Sequence, residues 1–511
     1  MEASVVLSEG RVSGNPPSKP EKFLDVIQPT IYALAMIVSV SVWFLAIRAP
    51  LWLDETVSFF IIKGRFSEIL SRQGWPGVPA YPYLLWLWTR AMGTGEITLR
   101  LLSILAMLGA AYLLYRSARE LFDRDVAIIA AVIFCLHPSI LYASIDIRPY
   151  AFAALAINAS IFLLVRLRHS NSYWLAALFG FSATCIVYFQ FLFVVILPPL
   201  AVCFFALNDG DRKTRWRQRG IALVACALGF VPVIPGMRYL FHTSGIHVFS
   251  DIPRFPYLIQ TLAQRRMVYV LLVTILAAAV LRRLDLRTRP EGWTTLLCAS
   301  LALIPIFTLY EVSVHTSIHV FVFRYRIVAV AGSVLCWALV VSRVRSRVLR
   351  MLFCVAIVAV IAHHSFSSPL SPFHDYSWKD ALQFAEKNAA ADNAPVLICS
   401  DLPESDYMPM PVGAAVKDSA IFAPLSYYPV SVPVVALPRG LNDQAKQIAL
   451  RFLQRAAQRH QRFLVLGFIA SYETLDWIAD NADRSHDMRE LGTFDGIQVL
   501  EFSPVEVDAG H

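Results

Sequence analysis

Long apolar stretches are the feature that most constrains how this chain can fold. Of its 511 residues, 57% are hydrophobic and only 16% are charged, whereas about a quarter of the residues in a soluble globular protein are charged. A helix that crosses a bilayer needs about 20 mostly apolar residues, and such windows recur from about residue 29 to about residue 364. The sequence therefore predicts a polytopic α-helical membrane protein.

About eleven transmembrane helices are expected, with ten or twelve as alternatives, because the separation of two of them at Gln190 is weakly marked. The predicted spans are residues 29–48, 97–115, 126–143, 150–165, 174–189, 191–207, 220–238, 267–281, 292–310, 326–342 and 351–366.

Lysine and arginine are distributed unevenly between the two sides of the predicted membrane domain. Five loops that share one side hold 18 Lys and Arg in 48 residues, and three later loops on the other side hold 4 in 48. Positive loops stay in the cytoplasm, so the N-terminus is expected inside and the C-terminus outside. The net charge of +8 thus marks the cytoplasmic face, and no nucleic-acid partner is expected.

The predicted spans leave three longer segments outside the membrane. Residues 1–28 are polar and are expected to be a disordered cytoplasmic N-terminus, followed by a transmembrane domain over residues 29–366. That domain includes a long first outer loop, 49–96. Residues 371–511 alternate helix-like segments with short apolar runs, which is typical of a small α/β domain, and Pro-rich residues 367–374 form the linker.

Two adjacent acids follow the first span, in "LWLDE" (51–55). Asp54 and Glu55 would occupy the first turn of a short interfacial helix, where the helix dipole favours negative charge. They are either an ordinary acidic helix start or catalytic carboxylates at the membrane surface. A general base needs a carboxylate that can take the proton of an attacking hydroxyl.

Further charged residues fall on the same outer side. In "SIDIRPY" (144–150), Asp146 and Arg148 are either an interfacial charge pair beside Tyr150 or a site for a metal or a phosphate. Later, Arg324 and Arg326 are either phosphate ligands, since guanidinium groups suit phosphate, or arginines that extend from a helix end to the interface.

A divalent metal ion is a possible cofactor. Glu311, His315 and His319 have the i, i+4, i+8 spacing that would place them on one side of a helix. Carboxylate and imidazole groups so arranged can bind a divalent metal. The alternative is a solvated helix face.

Four stretches in this order and topology resemble the membrane glycosyltransferases of the GT-C fold. More narrowly, the chain resembles the bacterial members of glycosyltransferase family 39, the protein mannosyltransferase and aminoarabinose transferase superfamily. The resemblance covers about residues 29–345. It is carried by "LWLDE", "PAYPYLLWLWTRAMGTGEITLRLLSILAML", "HPSILYASIDIRPYAFAALA" and "FRYRIVAVAG".

The resemblance implies an inverting glycosyltransferase at the bacterial inner membrane. Its donor would be a polyprenyl phosphate monosaccharide, with undecaprenyl phosphate as the carrier. Its acceptor would be a hydroxyl of a lipid, polysaccharide or protein on the outer face.

Matched positions also imply roles for individual residues. Asp54 would be the general base or an acceptor-binding carboxylate, with Glu55 as its companion. The remaining matched positions are Asp146 with its partners Arg148 and Tyr150, and the late pair Arg324 and Tyr325, whose arginine would face the lipid phosphate together with Arg326. Many relatives carry a His and two prolines in the first loop, which this chain lacks in "GVPAYPYLLWLW", and Lys63 is a possible substitute cation.

Two other classes of function are also compatible with a membrane protein. A transporter or flippase should carry ionisable residues near the bilayer midplane, but most predicted spans lack Asp, Glu, Lys and Arg at their centres. A non-catalytic envelope-assembly protein would use the outer domain to bind a partner. The concentration of acids on one side favours the enzyme.

Overall fold

The computed structural model describes residues 19–73, 80–208, 211–242, 251–262, 264–285, 291–367, 377–468, 471–482 and 485–505. Within these ranges the chain forms a helical membrane domain and a C-terminal α/β domain. The helices of the membrane domain are α1 Lys19–Ser41, α2 Leu53–Ile62, α3 Ile69–Gln73, α4 Ala80–Met92, α5 Glu96–Leu121, α6 Arg124–Cys135, α7 Pro138–Ile145, α8 Tyr150–Arg168, α9 Tyr173–Phe189, α10 Leu197–Phe205, α11 Arg212–Phe230, α12 Ile234–His242, α13 Phe255–Leu262, α14 Arg265–Val280, α15 Gly292–His315, α16 Val330–Val341 and α17 Arg347–Ser367.

Every predicted span coincides with an apolar helical segment. Among the described residues, seven helices are long and apolar enough to cross a membrane, and two bent pairs raise that number to nine. The pairs are α6–α7, bent by 64°, and α13–α14, bent by 52°. Two shorter apolar helices, Tyr173–Phe189 and Phe191–Phe205, account for the other predicted spans. The break between them at Gln190 confirms the weakly marked separation.

The N-terminal segment differs from the expectation. Helix α1 begins at Lys19, so residues 19–28 are helical and the prediction of disorder is wrong there. Lys, Glu, Phe and Leu are compatible with a helix, and a polar segment can continue a membrane helix into water. Residues 1–18 and 368–376 lie outside the described residues, and the second range includes most of the predicted linker, 367–374.

The membrane domain presents apolar side chains outward as well as inward. Large hydrophobic residues on α11 and α14 are highly exposed, including Leu228 at 69% and Val280 at 74%. Apolar surface of this extent is stable against lipid but not against water. The basic loops meet at one end of the helices, where Asp123 pairs with Arg350 at 2.6 Å and Arg168 pairs with Glu291.

The C-terminal domain is a five-stranded sheet with helices on both faces, which confirms the α/β prediction. Its strand order is β2-β1-β3-β5-β4, with β1, β2 and β3 parallel and the β4–β5 hairpin antiparallel. The strands are β1 Val396–Cys399, β2 Val434–Leu437, β3 Phe463–Phe468, β4 His486–Phe494 and β5 Ile497–Pro504. The helices are α18 Trp378–Ala389, α19 Ala423–Tyr427, α20 Asp443–Gln458 and α21 Tyr472–Ala482.

This domain docks on the first outer loop. Helix α19 packs against α2, and its neighbour Tyr428 accepts a hydrogen bond from the Leu51 backbone N–H at 2.7 Å. The same hydroxyl donates to Glu96 at 2.8 Å, and Lys379 pairs with Glu96 at 3.1 Å. Helix α2 is therefore held between the membrane helices and the C-terminal domain.

Candidate active site

The candidate site is built on helix α2. Its first turn carries Asp54 and Glu55, and the Glu55 carboxylate accepts a hydrogen bond from the Trp52 backbone N–H at 3.3 Å. A carboxylate in this position satisfies an N–H that a helix start otherwise leaves unpaired. The adjacent acids thus have a local structural reason as well as a chemical one.

Glu55 is a buried structural residue. Its side chain is 1% exposed and forms a two-point ion pair with Arg100, at 3.2 Å from Nε to Oε1 and 2.7 Å from Nη2 to Oε2. The Ile147 backbone N–H donates to the same carboxylate at 3.1 Å. Burial raises the pKa of Glu55, while the charge and hydrogen bonds of Arg100 oppose that rise. The structure therefore corrects the expectation of a catalytic Glu55, because its carboxylate is enclosed.

Arg100 extends this buried pair to the end of the first span. Its guanidinium donates to the backbone carbonyls of Ile47, Ala49 and Pro50. The Glu55–Arg100 pair thus connects the first span, α2, α5 and the loop before α8. Such a connection fixes where α2 begins and hence where Asp54 lies.

Asp54 lies between two arginines. Its Oδ2 is 2.6 Å from Arg324 Nη1 and 3.8 Å from Arg148 Nη2, and its side chain remains 17% exposed. Arg148 also donates to the Asp54 backbone carbonyl at 3.4 Å. Residues 54, 148 and 324, far apart in sequence, therefore meet in one charged centre.

Asp146 lies beside this centre and is nearly inaccessible. The residue is 2% exposed, its Oδ1 accepts a hydrogen bond from Trp52 Nε1 at 3.2 Å, and its Oδ2 has no hydrogen-bond partner among the described residues. Burial raises the pKa of Asp146 well above its usual range, the Glu55 charge adds to the rise, and Arg148 opposes it. The Asp146 carboxyl is thus in a site that favours its protonated form.

Aromatic rings form one wall of the centre. The Arg324 guanidinium lies over the Tyr325 ring at 5.5 Å, and Tyr325 packs edge-on against Tyr150 at 6.3 Å between ring centroids. Tyr150 is 1% exposed, and its hydroxyl lacks a hydrogen-bond partner in the part of the chain that the structure describes. Both tyrosines therefore shape the wall behind Arg324.

Two predicted site residues lie elsewhere. Arg326 donates to Thr261 at 2.7 Å and stacks on Phe323, instead of joining Arg324 at Asp54. Lys63 follows the far end of α2, nine residues and thus about 13 Å along the helix from Asp54. There it pairs with Asp418 of the C-terminal domain at 3.9 Å, away from the charged centre around Asp54.

The predicted metal ligands do not form a site. Helix α15 ends at His315 because Thr316 is extended, so His319 does not continue the helical face. Glu311 and His315 pair with each other at 3.0 Å on the exposed surface. Across the described residues, no group of three or more His, Cys, Asp or Glu side chains could hold a metal ion.

Two residues that position the charged centre, Arg100 and Trp52, are not predicted from the sequence. Arg100 carries a signal that could have found it, because an arginine early in an apolar span needs a buried partner. Trp52 carries no such signal, since an aromatic residue at a membrane interface is ordinary.

Comparisons with known proteins match this architecture. Residues 76–239 match the family described as dolichyl-phosphate-mannose-protein mannosyltransferase. No curated protein sequence matches the chain. The chain is similar to the apo crystal structure of ArnT from Cupriavidus metallidurans, with a TM-score of 0.51 and 12% sequence identity. The match covers 95% of this chain and 98% of the ArnT chain.

Two further solved structures are similar over most of the chain. The match to the crystal structure of ArnT from Cupriavidus metallidurans bound to undecaprenyl phosphate covers 92% of this chain and 97% of the ArnT chain, with a TM-score of 0.49 and 12% identity. The match to the crystal structure of the Archaeoglobus fulgidus oligosaccharyltransferase tethered with an acceptor peptide covers 93% of this chain and 74% of the oligosaccharyltransferase chain, with a TM-score of 0.46 and 13% identity. The chain has the GT-C fold, as the sequence predicted.

Proposed function

We propose that this GT-C-fold membrane protein is an inverting glycosyltransferase of the bacterial inner membrane. It moves a monosaccharide from a polyprenyl phosphate donor to an acceptor hydroxyl on the outer face. The matched family supports a lipid-linked donor, since its description includes a dolichyl phosphate mannose. The charged centre around Asp54 supports transfer of the sugar from a lipid phosphate.

The observation that carries the proposal is the placement of one partly exposed carboxylate between two guanidinium groups. Arg148 and Arg324 together bring two positive charges to the single negative charge of Asp54. Glu55 and Arg100 cancel each other, and Asp146 is neutral when protonated. At Asp54 itself, two guanidinium groups therefore face one carboxylate, and this arrangement suits the phosphate of a lipid-linked sugar.

The reaction follows from this charge arrangement. The acceptor oxygen attacks the anomeric carbon while the bond from that carbon to the phosphate oxygen breaks on the opposite side. The electron pair of that bond leaves with the polyprenyl phosphate, whose growing negative charge is stabilised by Arg148 and Arg324. Asp54 takes the proton of the attacking hydroxyl. Since phosphate is a stable leaving group when it is stabilised this way, a second protonating carboxylate is not needed.

A metal is not part of this mechanism. The described carboxylates and imidazoles do not assemble a set of ligands, so no step is assigned to a metal ion. The two arginines supply the positive charge that a divalent ion would otherwise bring to the phosphate.

Release of undecaprenyl phosphate tests the proposal. Purified protein would be incubated with a panel of undecaprenyl phosphate sugars and an outer-envelope acceptor fraction. Wild type should release the carrier lipid from at least one donor, and Asp54→Asn should lower the rate by about 10²-fold or more. Glu68→Gln, an exposed acid of the same loop, serves as the control. Equal rates in wild type and Asp54→Asn would remove Asp54 from the mechanism.

A further inference from the structure

In the C-terminal domain, the strand order reverses at the carboxyl ends of the parallel strands β1, β2 and β3. The chain passes from β1 to β2 on one side and then across to β3 on the other. In open α/β sheets, ligands bind outside the carboxyl ends of strands at such a reversal. Asp401 follows β1 at this point, and Arg439 follows β2.

The carboxyl end of β1 is joined to the first outer loop through neighbouring segments. Ser400, directly before Asp401, donates a hydrogen bond to the Ile421 carbonyl at 2.9 Å. The short helical turn Ala420–Phe422 and helix α19 both pack against α2, which carries Asp54. The end of β1 is therefore fastened to the segment that touches the catalytic element.

Asp401 is nearly buried just after the end of β1. It is only 8% exposed, and its carboxylate makes no hydrogen bond or ion pair among the described residues. Burial raises the pKa of Asp401 to about 7, Arg439 opposes the rise, and the charge of Asp54 adds to it. Asp54 and Asp401, from different domains, are thus within electrostatic range of each other. A nearly buried, unpaired carboxylate is costly to maintain, which points to a ligand.

We propose that Asp401 belongs to an acceptor subsite between the C-terminal domain and Asp54, and that this subsite binds a hydroxyl-rich glycan. The inference rests on the proposed glycosyltransferase function and specifies its acceptor class. Asp401 orients the glycan by hydrogen bonding to its hydroxyls, while Asp54 accepts the proton of the reacting one.

The side chains at these strand ends suit the hydroxyls of a glycan. A hydroxyl both donates and accepts hydrogen bonds, so it satisfies Asp401 whether or not that carboxyl is protonated. Arg439 lies over the Phe468 ring at 5.2 Å and adds a donor group at the same edge of the sheet. Ser471, which follows β3, has a buried hydroxyl without a partner within the described ranges. These groups are polar and separately placed, as a polyhydroxyl ligand requires.

The test separates acceptor binding from donor binding and catalysis. Carrier-lipid release by the full-length protein would be measured against increasing amounts of an outer-envelope glycan fraction and, separately, of an envelope protein fraction. We expect Asp401→Asn to raise the KM for the glycan fraction about tenfold or more, with kcat and undecaprenyl phosphate affinity close to wild type. Asp480→Asn, an exposed acid on α21, should leave all three unchanged.

Melting temperatures would establish that both variants are folded, and Asp401→Ser provides a second variant with the same expected rise in KM. An unchanged KM in an active, folded Asp401 variant would overturn the acceptor subsite alone. Transfer to the protein fraction in place of the glycan fraction would overturn the glycan assignment. Absence of carrier release by wild type from any donor would overturn both this inference and the proposed function.

Discussion

Two neighbouring carboxylates of α2 have different environments because they point to different sides of one helix turn. Asp54 remains partly exposed between Arg148 and Arg324, whereas Glu55 is enclosed with Arg100. The first arrangement leaves a carboxylate that a substrate can reach. The second fixes the position of the helix. Adjacent acids in the sequence therefore divide into a partly exposed carboxylate, for which we propose the reacting role, and an enclosed carboxylate that positions the helix.

Glu55→Gln tests the positioning function. The amide cannot form the two-point ion pair, so Arg100 would remain charged and buried with an inadequate partner. We expect the free energy of unfolding to fall by about 3–5 kcal/mol, measured by thermal or denaturant unfolding in detergent. Glu68→Gln removes an exposed partner of Arg72 and should cost at most about 1 kcal/mol. Similar losses in the two variants would contradict a structural importance of the buried pair.

Most of the residues that form the charged centre around Asp54 can be predicted from the sequence. Asp54, Asp146, Arg148 and Arg324 were expected at one site, and the structure brings them together. Asp401 could not be anticipated, because its proximity to Asp54 depends on how two domains dock. The histidine pattern was misleading since spacing alone does not show where a helix ends.

At the scale of elements, apolar length located the membrane helices well, but it could not reveal their bends or contacts. Helices α6 and α7 meet at a 64° bend, although the sequence shows one continuous apolar window over residues 126–143. Pro138 begins α7, and proline suits a new helix start. Strand β4 is not marked in the sequence because most of its residues are exposed, so it lacks the apolar run of a buried strand.

Close packing of α15 against α16 gives a prediction at this scale. A Cβ added at Gly332 would lie 2.3 Å from the backbone carbon of Leu301, so Gly332→Ala must push the helices apart. We expect a loss of stability of about 1–3 kcal/mol, typical of overpacking, visible as a lower melting temperature. Gly220→Ala on α11, where nothing lies within 4 Å, should be neutral or slightly stabilising. Equal tolerance at both positions would contradict the close contact.

At the scale of the whole molecule, the charged centre and the C-terminal domain share one end, and the basic loops share the other. We therefore propose that the centre works outside the cytoplasm. Each described native cysteine is buried or half-buried, which permits labelling of introduced ones. In intact spheroplasts, Tyr407→Cys in the C-terminal domain should react with a membrane-impermeant maleimide.

Trp216→Cys on the basic side should react only after the membrane is permeabilised. Both parent side chains are well exposed, at 76% for Tyr407 and 56% for Trp216. The reverse labelling pattern would overturn the proposed orientation. Labelling of the unmodified protein provides the background.

Binding of undecaprenyl phosphate would show whether the charged centre around Asp54 holds a lipid phosphate, and it requires neither the sugar nor the acceptor to be known. Wild type should bind this lipid, and Arg324→Gln should weaken binding about tenfold or more, the value of one charge-assisted hydrogen bond. Arg326→Gln, which alters an arginine paired with Thr261, should bind like wild type. Asp54→Asn should bind at least as tightly as wild type, since Arg148 and Arg324 would no longer share their charge with a carboxylate. Equal affinities for wild type and Arg324→Gln, or weaker binding by Asp54→Asn, would contradict a phosphate site at this centre.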